Sequence, residues 1–129
     1  MNRSLKAMTA TVALIVAISP AALATCNPLS FSITPAQVQR GGTVTLTTHV
    51  QNCTSHNELV TVRYSILYGT SRILIGSATF PLGTGSSVTA TRTFTVPVAA
   101  PTGTYTLRAA EFVGTTLVKS VSHTLTVTP

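Results

Sequence analysis

The feature that most constrains the fold of this chain is a two-residue alternation of apolar and hydroxyl side chains along most of its length. In the segment 43–50, Val44, Leu46 and Val50 alternate with threonine and histidine, and the segment 88–96 repeats the pattern. Such alternation sends successive side chains to opposite faces of an extended strand, whereas a helix needs a period near 3.6. The branched Cβ of threonine also favours strands. The chain is therefore predicted to be all-β.

Turn-forming sequences such as Gly41-Gly42 and Pro101-Thr102-Gly103 separate the alternating segments. Short alternating strands at this spacing, over roughly 100 residues, are typical of an antiparallel β-sandwich. No internal repeat or linker interrupts the pattern, so we predict a single domain over residues 25–129. The predicted strands lie near residues 29–34, 43–52, 59–68, 71–80, 87–96, 104–113 and 115–127.

Residues 1–24 have the three-part organisation of a secretory signal peptide. Arg3 and Lys6 form a basic start, an apolar stretch covers residues 7–19, and Pro20 precedes the small residues of Ala22-Leu23-Ala24. This pattern predicts cleavage after Ala24 and a secreted or periplasmic protein. The apolar stretch is shorter than the roughly 20 residues that a membrane-spanning helix needs. No later segment is long and apolar enough to span a membrane.

Leu23-Ala24-Thr25-Cys26 also resembles a bacterial lipobox, which would tether the protein through a lipid on Cys26. Thr25 departs from that pattern, which has Gly, Ala or Ser before the cysteine. Lipoprotein tethering is therefore the lesser alternative for localisation.

The charge of the chain gives little support for nucleic-acid binding. Cleavage would remove Arg3 and Lys6 and take the formal net charge from +6 to +4. The remaining basic residues are scattered singly, whereas nucleic-acid binding normally needs a clustered basic surface. They are Arg40, Arg63, Arg72, Arg92, Arg108 and Lys119.

Several short motifs resemble those of secreted bacterial immunoglobulin-like domains. Residues 34–44, which include Pro35 and Gly41-Gly42, resemble the entry to the second strand of such domains. Val50-Gln51-Asn52 resembles the end of that strand in the cell-adhesion-related Ig-like domain (CARDB), and Thr93-Phe94-Thr95-Val96-Pro97 resembles a later motif. Tyr105 stands where fibronectin type III-like and immunoglobulin-like sandwiches carry a structural tyrosine corner. The resemblance implies an immunoglobulin-like β-sandwich, and the motifs encode strand and turn geometry only.

Cys26 precedes the first predicted strand, and Cys53 follows the second. The start of one strand lies beside the end of its antiparallel neighbour, so the two thiols are expected to meet at one end of the sandwich. An exported protein with an even number of cysteines is expected to oxidise them. We predict a Cys26–Cys53 disulfide.

A second interpretation of the same region is a metal site. His49, Cys53, His56 and Glu58 fall within ten residues and offer imidazole, thiolate and carboxylate ligands. A disulfide would remove Cys53 from that set, which would leave His49, His56 and Glu58. A small periplasmic metal-binding protein that uses the loop His49–Glu58 is thus the alternative function. The favoured interpretation has no cofactor.

Two charged or titratable residues stand at positions where the alternation would place an apolar, inward-facing side chain. His123 has the parity of Val121 and Leu125, and Arg92 has that of Ala90 and Phe94. An unpaired buried charge is costly. We therefore expect either a bulge that resets the register or an arginine that extends to a sheet edge.

Enzymatic function is not expected, because Glu58 and Glu111 are the only acids of the chain. A Ser-His-acid triad or a glycosidase pair would have to use them. A minimal hydrolase remains a third interpretation. The sequence favours a secreted non-enzymatic immunoglobulin-like module with a binding or structural role, which acts through its loops or a strand edge on a protein or a cell-surface glycan.

Overall fold

The computed structural model describes the backbone of residues 10–19 and all of residues 26–129. These residues form two β-sheets that pack face to face around one apolar core. The nine strands are β1 (Ala10–Ser19), β2 (Leu29–Thr34), β3 (Gln37–Gln39), β4 (Thr43–Gln51), β5 (Glu58–Tyr68), β6 (Ser71–Leu82), β7 (Ser87–Thr95), β8 (Gly103–Val113) and β9 (Thr116–Thr128).

Sheet A has four strands in the order β1-β7-β4-β2, and every neighbouring pair is antiparallel. The inner face of β4 buries Val44, Leu46 and Val50, while its outer face carries threonines and His49. β7 pairs residue for residue with β4 and repeats this division. The alternation in the sequence therefore places apolar side chains against the core and hydroxyl groups on the outer face.

Sheet B has five strands in the order β3-β9-β8-β5-β6. Its β9-β8-β5-β6 part is antiparallel, but β3 pairs with β9 in parallel, so the sheet is mixed. This corrects the expectation of a purely antiparallel sandwich. The short segment Gln37–Gln39 lies beside the last strand because the chain crosses from one sheet to the other after β2.

A buried hydrogen bond joins the two sheets inside the core. The Thr48 hydroxyl on β4 and the Tyr64 hydroxyl on β5 are 2.7 Å apart and form a hydrogen bond. Both side chains are buried, so each hydroxyl gives the other a hydrogen-bond partner where water is excluded.

The all-β sandwich and the seven predicted strands are confirmed, with ends that differ by at most two residues. β1 and β3 were not predicted. β1 lies inside the apolar stretch of the predicted signal peptide. The basic start of that signal peptide and the predicted cleavage position at Ala24 lie outside the described residues.

Candidate functional site

The predicted disulfide lies at one end of the sandwich. Cys26 and Cys53 are joined through their sulfur atoms, with their Cα atoms 5.7 Å apart. β2 and β4 are antiparallel, which brings the residues just before β2 beside the residues just after β4. The bond closes a loop of 27 residues. It also occupies the sulfur of Cys26 that lipid attachment would require.

Asn52, next to the disulfide, holds two loops together through its side chain. It is 2% exposed, and its Nδ2 donates hydrogen bonds to the His56 carbonyl at 2.8 Å and the Leu82 carbonyl at 2.9 Å. Its Oδ1 accepts hydrogen bonds from the backbone N and Oγ1 of Thr54. From the sequence, Asn52 was expected only as part of a motif that ends a strand. A polar side chain at the end of an apolar strand was the only sequence feature that could have indicated this hydrogen-bonding role.

The backbone of Asn52 extends this network to the turn between β6 and β7. Its N–H donates to the Ser86 carbonyl at 2.9 Å, and its own carbonyl accepts from Gly85 N–H at 2.8 Å. We call the loops 26–28, 52–57 and 83–86, which meet here, the disulfide end of the sandwich.

Glu111 is a buried acid on β8. Its side chain is 2% exposed, and its Oε1 has no hydrogen-bond partner among the described residues. Burial raises the pKa of Glu111 to about 7, and the positive charge of Lys119, which is paired with it across β8 and β9, acts in the opposite direction. Lys119 instead donates from Nζ to Asn27 Oδ1 at 2.8 Å, beside the disulfide.

The residues of the predicted metal alternative do not converge. His49 lies on the outer face of β4 and its Nδ1 is 3.1 Å from Thr89 Oγ1. His56 is exposed in the loop, Glu58 begins β5, and Cys53 is oxidised. Within residues 26–129, no group of three or more His, Cys, Asp or Glu side chains is placed to hold a metal ion.

Glu58 borders an open pocket of about 310 Å³ at the disulfide end. The pocket lies where the start of β5 meets the end of β6, and Leu59 beside it is 63% exposed. An exposed leucine next to a carboxylate offers a mixed apolar and acidic surface rather than an enclosed binding site. The lining residues are Asn57, Glu58, Leu59, Pro81, Leu82 and Gly83.

The two acids lie at different positions along sheet B. Glu111 is paired opposite Val62 on β5, and Glu58 lies four residues before Val62 on the same strand. Four residues of strand correspond to roughly 13 Å. The carboxyl groups of glycosidases are about 5–9.5 Å apart. The backbone positions of the two acids are therefore further apart than the carboxyl groups of a glycosidase pair.

Arg92 points inward, as its parity predicts, with no register shift between β4 and β7. Its Nη2 donates to the Ser77 carbonyl on β6 at 2.9 Å, and its Cζ lies 5.6 Å from the centre of the Tyr64 ring. Its Nε is buried without a hydrogen-bond partner among the described residues. The long side chain thus extends from β7 to β6, which agrees with the expected arginine at a sheet edge.

His123 lies on β9 beside β2, on the side of the sandwich away from the contact between Arg92 and β6. Its ring centre is 5.5 Å from that of Phe31, and Nε2 is within hydrogen-bond distance of the Phe31 carbonyl. The residue as a whole is exposed. His123 therefore covers a buried phenylalanine from the solvent side.

The other end of the sandwich carries the tyrosine corner. Tyr105 is buried, and its hydroxyl donates to the carbonyl of Pro101, four residues upstream. Gly41 N–H donates to the Val96 carbonyl at 2.7 Å and Val96 N–H to the Gly42 carbonyl at 2.9 Å. We call residues 40–42 and 96–102 the corner end.

None of the described residues forms a helix that is long and apolar enough to cross a membrane. Comparison with protein-family models finds no match, and no curated protein matches either. Solved structures do match this chain.

A CARDB domain from Pyrococcus furiosus, solved in complex with di-metal ions, is similar with a TM-score of 0.59 and 22% identity, over 78% of this chain and 87% of that chain. An alkylpurine DNA glycosylase from Pseudomonas fluorescens gives a TM-score of 0.59 and 17% identity, over 77% of this chain and 30% of the enzyme. A mutant β-glucosidase from Listeria innocua gives a TM-score of 0.62 and 10% identity, over 78% of this chain and 16% of the enzyme.

Both enzymes are much longer than this chain, and the similarity covers less than a third of each. Similarity at such low identity shows the fold and not the activity. The chain therefore has an immunoglobulin-like β-sandwich fold similar to that of CARDB domains.

Proposed function

We propose that this protein is a secreted or periplasmic, non-enzymatic module that binds a protein or a cell-surface glycan. The observation that carries the proposal is the disulfide end, where a Cys26–Cys53 bond and Asn52 fix three loops on a rigid sandwich. Disulfides persist in oxidising compartments outside the cytoplasm. Loops that a rigid scaffold holds in place are common recognition surfaces.

The placement of the acids supports a non-enzymatic role. Glu111 lies between the sheets, and Glu58 lies at the rim of an open pocket roughly 13 Å further along the sheet. A metal-dependent role for His49, His56 and Glu58 has no such support, because His49 bonds to Thr89 on the outer face of sheet A.

The first test is the intact mass of the exported protein, with and without an alkylating reagent. A mass that fits residues 25–129 less two hydrogens, and that does not change with the reagent, supports export and the disulfide. A lipid adduct on Cys26 or two reactive thiols would contradict the proposal.

The second test is binding of the exported protein to intact cells of its own species. We expect Leu59→Asp or His56→Ala at the disulfide end to weaken binding at least fivefold, while Val98→Asp at the corner end leaves it unchanged. Val98 is a matched control because it is 77% exposed on a loop of the same sandwich. Equal losses from both ends would contradict binding through the disulfide-end loops.

A further inference from the structure

The strands at the sheet edges differ in how they are protected against pairing with another chain. β2 has six residues and lies between Pro28 and Pro35, and β3 has only three. β6 contains Pro81 and its pairing with β5 has a register shift. Short length, proline and bulges are the usual means by which edge strands avoid pairing.

β7 has none of these three features. Its nine residues contain neither proline nor glycine, and all nine pair with β4 without a register shift. Its other side pairs with β1 in an antiparallel arrangement that is continuous from Ile15–Ser19 against Ser87–Thr91. β7 is not an edge strand while β1 is present, but without β1 it would become one that can accept a strand along its whole first half.

Arg92 marks the end of this accepting segment. The pairing partners on β7 pass directly from Thr93 to Thr91, and the register shift between Thr11 and Ile15 of β1 falls at Arg92. An inward-pointing charge on an edge strand opposes strand addition. Because Arg92 also donates to the Ser77 carbonyl, it is held at this position.

The segment that pairs with β7 is apolar: among its ten residues only Thr11 and Ser19 are polar. The same segment belongs to the predicted signal peptide. Cleavage after Ala24 would remove it and leave the outward N–H and C=O groups of Ser87–Thr91 without strand partners. A row of unpaired backbone groups is a template for another strand.

We propose that Ser87–Thr91 is a strand-acceptor edge, filled by Ala10–Ser19 before cleavage and afterwards by an apolar β-strand of a partner polypeptide. This inference rests on the proposed function and specifies one of its surfaces and the chemistry of its partner. The main-chain hydrogen bonds supply affinity, and the apolar composition of the strand supplies selectivity.

A second copy of this chain is a poorer occupant than an apolar strand. Antiparallel pairing of two β7 strands about Thr91 would place Arg92 of one copy opposite Ala90 of the other. Two inward guanidinium groups would then lie close together between the sheets, where like charges are destabilising.

The occupancy before cleavage is tested by cross-linking within the full chain, synthesised without export so that it is not processed. Ala17 and Thr89 are paired opposite each other. We expect Ala17→Cys with Thr89→Cys to form a disulfide in most molecules under oxidising conditions. The matched control is Ala17→Cys with Thr47→Cys, which places the second thiol on the same face but on central strand β4. Equal cross-linking in both variants would overturn the pairing of β1 with β7.

Occupancy by a separate strand is tested on the exported protein carrying Thr89→Cys. The probe is a synthetic peptide of residues 10–19 with cysteine at position 17 and lysines added at its ends for solubility. We expect the adduct to form at least tenfold faster than with the Thr47→Cys variant, and tenfold faster than with a scrambled peptide. Equal rates would overturn the inference.

Two other outcomes would also overturn it. Retention of residues 10–19 in the exported protein would mean that the edge stays filled by its own chain. Efficient self-cross-linking of a Thr91→Cys variant would identify a second copy as the occupant. If the peptide fails to bind while the exported protein keeps its Cys26–Cys53 bond, the strand-acceptor inference fails and the proposed loop-based function stands.

Discussion

The two ends of the sandwich hold their loops by different chemistry. At the disulfide end, a covalent bond, the side-chain hydrogen bond from Asn52 to the Leu82 carbonyl and the backbone hydrogen bonds of Asn52 to residues 85–86 connect segments that are far apart in sequence. Three further side-chain hydrogen bonds of Asn52 stay within the loop 52–57. At the corner end, backbone hydrogen bonds between residues 41–42 and 96 and one tyrosine hydroxyl connect loops to adjacent strands. The comparison indicates that the disulfide end is more strongly fixed in the folded state, as a presented surface would require.

The largest expected effect comes from removal of the disulfide. Cys26→Ser with Cys53→Ser should lower the free energy of unfolding by about 3.5 kcal/mol, because the bond closes a loop of 27 residues in the unfolded chain. Urea denaturation of the exported protein measures this loss. A change below about 1 kcal/mol would show that the bond does not anchor this end.

Asn52→Ala should have the next largest effect, about 2–3 kcal/mol. It leaves the buried Leu82 carbonyl without its side-chain donor and releases the loop that contains His56. The matched control is Asn57→Ala, because Asn57 is exposed and only accepts a 3.4 Å contact from Thr84 N. Equal losses from the two variants would contradict a special role for Asn52.

Glu111 should make the stability depend on pH. Its pKa in the folded protein is raised to about 7 from an ordinary value of 4.5, so the folded state binds more protons than the unfolded state between these values. The free energy of unfolding should therefore fall as pH rises from about 4.5 to 7, by about 1–3 kcal/mol. Above pH 7 this contribution becomes constant.

Glu111→Gln isolates the effect, since the variant keeps the size of the side chain and cannot ionise. The variant should be more stable than the natural protein at pH 8, and the difference between the two should vanish below about pH 4.5. Denaturation curves at four pH values would decide it. A constant difference across the range would mean that Glu111 does not titrate in this window.

Tyr105→Phe should have the smallest effect, about 1 kcal/mol, because it removes one hydrogen bond and keeps the buried ring. Tyr68→Phe is the control at the same end, since its hydroxyl makes only a 3.3 Å exposed contact with the Thr102 carbonyl. A loss from Tyr105→Phe larger than that from Asn52→Ala would reverse the comparison between the two ends.

Local features of the sequence predict most of this fold. Alternation indicated seven strands, and the positions of Cys26 and Cys53 indicated the disulfide. Arg92 was expected either at a bulge or extended to a sheet edge, and its side chain reaches β6, which lies at the edge of sheet B. Each of these features depends on residues close in sequence or on one antiparallel pair of neighbouring strands.

The features that were missed depend on contacts between distant parts of the chain. β3 has only three residues, too few for a periodic signal, and its parallel partner β9 lies about 90 residues further along the chain. The role of Asn52 depends on its hydrogen bonds to the turn at residues 83–86. Neither segment alone predicts that the two lie close together. The pairing of Ala10–Ser19 with β7 was missed because an uninterrupted apolar stretch carries no alternation that separates a strand from a signal sequence.

The hydrogen bonds of Asn52 also determine which modifications the folded chain can accept. Asn52-Cys53-Thr54 has the form of an N-glycosylation acceptor sequence, normally found on an exposed loop. The nitrogen to which a sugar would be attached already donates to two carbonyls, and the Thr54 hydroxyl is bonded to the same side chain. A glycan could be attached only before the loops close, and once attached it would prevent them from closing. Production in a host that glycosylates secreted proteins would therefore compete directly with folding of this end.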